Sequence, residues 1–180
     1  MKITLVRHAE VIKEYQGRYN GHIDIGLSQH GETQAKELAK QLENIHFDAI
    51  YCSDLRRAIE TLSAFTLRTK PIYTALLREK SWGRHEGKSF AEIEEEGIRY
   101  ENFTQFINAL DGEDVEVYIQ RIKEFFYETL FTLEADNVLV LTHSGVIKTL
   151  LHLTKEISLE EAFCTSLPYS SFITLDTMSL

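Results

Sequence analysis

Short, β-branched apolar runs in this chain are followed repeatedly by segments whose apolar residues recur at helical spacing, and no other feature limits the possible folds as much. Ile3–Val6 form the first run, Asp48–Cys52 the second, Ile72 and Tyr73 a brief third, and Val138–Leu141 the most apolar; Phe172–Asp176 alternates as a last strand. Such runs bounded by polar residues read as strands, and strands separated by helix-length segments read as crossover units of a parallel sheet. Ala35, Leu38, Ala39 and Leu42 share one face of a helix that Ser28 can cap and that ends near Asn44. Ser53-Asp54 can cap a helix carrying Leu55, Ala58, Ile59 and Leu62; Tyr118, Ile119, Ile122, Phe125, Phe126 and Leu130 mark a long helix from Val115; Gly145–Leu153 read as another. The expected fold is an α/β three-layer sandwich, a mostly parallel central sheet with helices on both faces. At 180 residues and 43% hydrophobic, residues 1–180 fit one domain. From about Leu76 to Gly112 the chain turns irregular, acidic and aromatic, which reads as an inserted lid-like segment at about 78–113.

In a parallel α/β sheet, ligands bind beyond the carboxyl ends of the strands. Arg7-His8 follows the first strand, Ser53-Asp54 with Arg56 and Arg57 the second, Arg78-Glu79 the third, and Thr142-His143-Ser144-Gly145 the most apolar one. All four segments therefore reach one edge. Two histidines, at least two arginines and a carboxylate there suit phosphoryl transfer, in which a dianionic group must be neutralised as bonds change. An imidazole can attack phosphorus and divide one hard hydrolysis into two steps, while arginine forks hold the equatorial oxygens. The attacking histidine must be neutral, and neighbouring arginine charge favours that state. The group that protonates the leaving oxygen must keep its proton near neutral pH, as a carboxylic acid buried beside a phosphate dianion does.

A net charge of −9 argues against a nucleic-acid partner or an acidic membrane surface, both of which need a basic patch. The opening MKITLVRH lacks the apolar core of a secretory signal, and no stretch reaches the roughly 20 apolar residues of a membrane span. Cys52 and Cys164, without metal-type spacing, fit a reduced cytoplasmic protein, with Cys52 a buried small residue. His22, His30, His46, His85 and His152 repeat no metal-ligand spacing, so neither a metal nor another cofactor is expected. The expected partner is a small-molecule phosphate ester. Oligomeric state is not encoded in any pattern found.

The residues themselves resemble a family. LVRHAE resembles the arginine-histidine signature of the histidine phosphatase (phosphoglycerate mutase-like) superfamily, and YNGHIDIGLSQHGETQA its Gly-x-x-Asp-x-x-Leu-Ser/Thr-x-x-Gly run. YCSDLRRAIET is similar to the segment supplying its second arginine, LREKSWGRHEG to its acid segment, and VLVLTHSGVI to the segment of its second histidine. The resemblance spans nearly the whole chain. It implies that His8 is the nucleophile, that Arg7, Arg57 and His143 bind phosphate, and that Glu79 donates the proton, with His143 also counted as catalytic. Arg57 is preferred over Arg56 by motif position alone. Tyr19, Asn20, Gly21 and Ser144 are candidate substrate contacts, and the Tyr19-Asn20-Gly21 segment is similar to that of short α-ribazole phosphatase-like members. The implied function is a metal-independent phosphomonoesterase acting through phosphohistidine on a small metabolite, α-ribazole 5′-phosphate first among candidates.

Two positions depart from the pattern: Ala9 stands where the family often has glycine, and Glu14 where it often has an asparagine in the phosphate pocket. A carboxylate at Glu14 would repel phosphate unless it pointed away. The alternatives are mutase-type phosphoryl transfer, a silent phosphate-binding scaffold, and a phosphatase acting on protein phosphohistidine. The acid segment here reads Glu79-Lys80-Ser81-Trp82-Gly83 rather than the mutases' Glu-Arg-His-Tyr-Gly, and both histidines are present, unlike in a silent relative. Among the remaining residues, His22 and His85 lie near the expected cleft, and Arg18, Arg84 and Lys88 are surface cations that can reach a second anionic group. Trp82 and Phe90 read as packing, Glu86 as a support for Glu79 or a partner for an arginine, and Glu92–Glu96 as a solvated acidic face.

Overall fold

A computed structural model describes residues 1–155 and 157–177. Its strands are β1 (Lys2–Arg7), β2 (Ala49–Ser53), β3 (Ile72–Thr74), β4 (Asn137–Thr142) and β5 (Phe172–Asp176), joined in one sheet ordered β3-β2-β4-β1-β5. β1 and β4 pair in parallel at the centre, from Lys2 opposite Asn137 to Arg7 opposite Thr142, so their polar ends finish level. β2 pairs in parallel with both β4 and β3, whereas β5 runs antiparallel on the other edge of β1. Only the central strands read as continuous apolar runs. β5 alternates, with Ile173 and Leu175 turned to the core, as a half-buried edge strand does.

Strand alternation sorts the core into two layers. Ile3, Leu5, Val138 and Val140 pack on one side with Ile122, Phe125, Phe126, Val146 and Leu150, from α5 (Val115–Lys123), the turns after it, and α6 (Ser144–Lys155). Val6, Leu139, Leu141 and Cys52 face the other way, against Leu38, Leu42, Ala58 and Leu62 of α1 (Gln29–Leu42) and α2 (Arg56–Leu62). The α/β sandwich expected from the sequence is thus present. Ser28 caps α1 as expected, its Oγ accepting the Gly31 N–H at 2.9 Å.

The structure corrects three local readings. Ser53 does not cap α2: β2 runs through Ser53, paired with Thr74, and the cap position falls on Leu55 without a side-chain bond. The helix from Val115 is regular only to Lys123; it widens through Glu124–Leu130, a winding in which the adjacent Phe125 and Phe126 are both buried. The stretch from 76 to 112 is not irregular throughout, since it holds α3 (Phe90–Glu94) and α4 (Phe103–Ala109), helices too short to show a period in the sequence. These helices and Leu110 form a small core with Trp82, Ile93, Phe106 and Ile107, joined by Tyr19 and by Leu159 of α7 (Leu159–Cys164). Phe90, read as packing, meets Phe106 edge-on at 5.4 Å between ring centroids while remaining 42% exposed.

The acidic run is also more than a solvated face. Glu92 closes a capping box with Ser89 and meets Arg18 at 2.6 Å. Glu96 gathers His85 at 3.1 Å, Lys88, and Arg84 at 3.9 Å. Both cysteines are free, and among the described residues no helix is long and apolar enough to cross a membrane.

Candidate active site

At the carboxyl ends of β1, β2 and β4 lies a cleft of about 200 Å³. Arg7, His8, Arg57 and Glu79 line it together with Tyr19, Asn20, Gly21 and Ser144. His143 lies beneath the surface, fully buried, its ring centroid 5.1 Å from that of His8. A larger hollow of about 730 Å³ runs between the end of α1 and the residues after α2, past Phe47 and Phe65. The smaller cleft is the chemically equipped one, because both catalytic candidates of opposite character, imidazole and carboxyl, open onto it.

His8 leaves β1 with its N–H bonded to the Thr142 carbonyl at 3.0 Å, which fixes the ring beside β4. Its Nδ1 lies 2.8 Å from the Ala9 carbonyl. A carbonyl only accepts, so Nδ1 carries the proton and Nε2 is left with a free lone pair. Burial first, then the charges of Arg57 and Arg7, hold the imidazole well below its ordinary pKa, so it is neutral at pH 7. The Ala9 N–H is bonded to Thr61 Oγ1 at 2.9 Å, and Thr61 Oγ1 donates to the Arg57 carbonyl at 2.7 Å, tying the turn after His8 to α2.

Arg57 is buried, donating to the carbonyls of Gly21 at 2.7 Å and Ile23 at 2.9 Å. Burial lowers its pKa to about 10, against the opposing pull of Glu79, Tyr169 and others, and the group stays charged at neutral pH. Arg56, which the helix spacing could not separate from it, turns outward to Glu60 at 2.6 Å. Arg7 lies 4.0 Å above the Tyr169 ring, donates from one terminal nitrogen to the Leu167 carbonyl, and has a buried Nε without a partner. Desolvation lowers its pKa too.

His143 Nε2 is 2.7 Å from Ser53 Oγ, while its buried Nδ1 has no partner. Ser53 Oγ already accepts the Leu55 N–H at 3.4 Å. A Ser53 proton donated to Nε2 leaves the ring proton on Nδ1, an unsatisfied donor of the kind an anion would complete. Burial, with Arg57 and His8 adding, also keeps His143 well below the ordinary imidazole pKa.

Glu79 Oε1 accepts from Tyr118 Oη at 3.0 Å and from the Lys80 N–H at 3.1 Å; Oε2 accepts the Gly145 N–H at 2.9 Å. A Cβ at Gly145 would sit 2.1 Å from Glu79 Oε1, so a side chain there would push the carboxylate out of this position. Arg121 fastens the backbone of the same segment, donating to the carbonyls of Leu76 at 2.8 Å, Arg78 at 2.9 Å and Glu79 at 3.4 Å, and pairing with Glu113 at 2.7 Å. His22 Nε2 donates to the Glu79 carbonyl at 2.9 Å. Among the described residues Glu86 makes no hydrogen bond to the Glu79 carboxylate and no ion pair with an arginine; it accepts the N–H groups of His22 at 2.9 Å and Trp82 at 3.2 Å, joining two cleft loops.

Of the expected outer cations, Arg18 lines the cleft but is neutralised by Glu92, and Arg84 and Lys88 stand apart at Glu96. Trp82 is both core and cleft wall. Glu14 is exposed on the turn Lys13–Tyr15 and is not among the lining residues. The sequence placed Ser53 at this edge but only as a helix cap, and gave no site role to Thr61, Tyr118, Arg121, Lys148 or Tyr169. Arg121 left a signal, a cation three residues from Tyr118 on the buried stripe of a helix, whereas Tyr169 left none. Among the described residues no three His, Cys, Asp or Glu come together as a metal site.

The family model of the histidine phosphatase superfamily (branch 1) matches residues 3–179. Phosphoserine phosphatase 1 of Hydrogenobacter thermophilus is 32% identical over 155 residues, covering 80% of this chain and 71% of that protein. The adenosylcobalamin/alpha-ribazole phosphatase of Escherichia coli is 28% identical over 159 residues, covering 84% and 77%. The solved structure of Bacillus stearothermophilus YhfR superposes with a TM-score of 0.85 at 29% identity, covering 97% of this chain and 90% of that one.

Proposed function

This chain belongs to the histidine phosphatase superfamily (branch 1) and is a phosphatase, and from that premise we propose that it hydrolyses a small phosphomonoester through a phosphohistidine on His8, without a metal. The observation that carries the reading is the His8 ring, held neutral by burial and by Arg57 and Arg7, its Nδ1 proton spent on Ala9 and its Nε2 lone pair left free. Nε2 attacks phosphorus as the bond to the leaving oxygen breaks. Arg7, Arg57 and the His143 Nδ1–H hold the three non-bridging oxygens where negative charge gathers. Glu79 supplies the leaving oxygen's proton. Its Oε1 has both lone pairs occupied by Tyr118 and Lys80, whereas Oε2 holds only Gly145 and keeps a place for that proton. In the second step Glu79 takes a proton from water, whose oxygen displaces His8 from phosphorus, and inorganic phosphate leaves.

Tyr19, Asn20, Gly21 and Ser144 surround the leaving group in this reading, and the segment 78–113 covers it as part of a single domain. Two free cysteines accord with a cytoplasmic location. The substrates in the relatives' names, α-ribazole phosphate and phosphoserine, differ in size and charge, so both belong in the first assay. Rapid quenching of a turnover with labelled substrate should trap a phosphoryl group on the protein that is stable to base and labile to acid, with chelator present throughout. Absence of that species, or activity that chelation removes and added divalent metal restores, would overturn the proposal. Glu79→Gln should slow an alkyl phosphate by about 10²–10⁴-fold and an aryl phosphate, whose leaving group needs little protonation, far less. Equal activity of the variant and wild type on the alkyl ester would remove Glu79 from the acid role.

A further inference from the structure

The proposed chemistry leaves one cation of the cleft without a task. Lys148 stands four residues beyond Ser144 on α6, so both residues share a helix face and both line the cleft. Its Nζ donates to the Phe163 carbonyl at 2.9 Å, which aims the ammonium and leaves two of its three N–H groups to spend. Among the described residues no carboxylate lies within ion-pair distance of it, in contrast to Arg18, whose charge Glu92 cancels at 2.6 Å.

The charges of the loaded cleft decide what Lys148 lacks. A phosphomonoester dianion balances Arg7 and Arg57, and Glu79, the proton donor of the mechanism proposed above, makes no ion pair with Lys148, so one positive charge of the cleft is left without a close partner. We propose that Lys148 binds a carboxylate of the substrate a few bonds from its phosphate, so that the enzyme prefers small phosphorylated acids to esters lacking that group. The inference rests on the phosphatase reading above and adds the substrate class and the residue that selects it. The cleft volume of about 200 Å³ agrees, being below the roughly 300–1,000 Å³ of pockets for larger ligands. Burial and then the Arg7 charge disfavour the Lys148 ammonium, Glu79 and Cys164 only partly offset them, and an anion seated against Nζ would offset them further.

The test compares 3-phosphoglycerate with glycerol 3-phosphate, which differ in a carboxylate against a hydroxymethyl group. Wild type should show the higher kcat/KM on 3-phosphoglycerate. The ratio of the two values should fall about tenfold in Lys148→Met, corresponding to about 1.4 kcal/mol, and largely return in Lys148→Arg. No preference in wild type, or an unchanged ratio in Lys148→Met, overturns the proposal. p-Nitrophenyl phosphate, which has no carboxylate, reports separately on the underlying phosphatase reading. Were turnover of all three absent, equilibrium binding to the His8→Ala protein would still decide: added Lys148→Met should weaken 3-phosphoglycerate about tenfold relative to glycerol 3-phosphate, and equal weakening of both rejects the carboxylate site.

Discussion

His8→Ala is expected to lower kcat/KM on a phosphomonoester by a factor on the order of 10⁴ or more, and to abolish the trapped phosphoprotein entirely. Among the described residues no neighbour is placed to take over the nucleophile's part in the proposed mechanism. His143, the nearest imidazole at 5.1 Å between centroids, is fully buried and engaged through Nε2 by Ser53. Water attacking directly would still find Arg7, Arg57 and the Nδ1–H of His143, so a small residual rate is expected from charge stabilisation alone. The thermal midpoint should fall by a few degrees at most, because His8 contributes one local bond to its neighbour's carbonyl and ring contacts with His143 and Tyr169. A variant that keeps more than a few per cent of wild-type kcat with a normal thermal midpoint would show that the phosphoryl group is never carried on His8.

Arg57→Ala should cost about 10²–10³-fold in kcat/KM, divided between a higher KM and a lower kcat, since in the proposed mechanism the guanidinium meets both the ground-state phosphate and the charge that develops on it. Here stability falls as well. The buried Gly21 carbonyl loses its donor, at about 1–3 kcal/mol for a buried group left unsatisfied, the partly buried Ile23 carbonyl loses less, and about 2–4 °C of thermal midpoint accompanies each kcal/mol in a domain of this size. Arg57→Lys should recover little of the activity, because an ammonium cannot fork across two phosphate oxygens. The comparison that matters is Arg56→Ala, which removes only an exposed pair with Glu60 and should leave turnover near wild type. Equal losses in the Arg56 and Arg57 variants would sink the assignment.

What could be read in advance follows from where chain chemistry is local. The polar pairs at the strand ends, Arg7-His8 and Thr142-His143, were legible because a parallel sheet sends the carboxyl ends of its strands to one edge, and β1 and β4 run in step to those residues. Arg57 was separable from Arg56 only by motif, since both sit in the first turn of α2; the structure separates them by the carbonyls of a distant loop. Ser53 was misread as a helix cap because its hydroxyl has two plausible uses, and the choice depends on how far the β2 ladder runs. Tyr169 was invisible for a different reason. It comes from the connection between α7 and β5, which follows no period, and reaches Arg7 only through the closing of the whole chain.

The attachment of the Glu79 segment bears on how this enzyme can change its taste in substrates. Arg121 grips that segment through main-chain oxygens, those of Leu76, Arg78 and Glu79, while Glu113 holds Arg121 in turn. Every residue type offers the same carbonyl, so the grip is blind to the side chains it secures. Arg78 adds a side-chain anchor of its own, a two-pronged pair with Asp54 at 2.7 Å, so the segment is held both by main-chain oxygens and by one specific cation. The acid's placement is thus set apart from the side chains proposed to meet the leaving group, and substitutions among the latter should alter selectivity before they alter turnover.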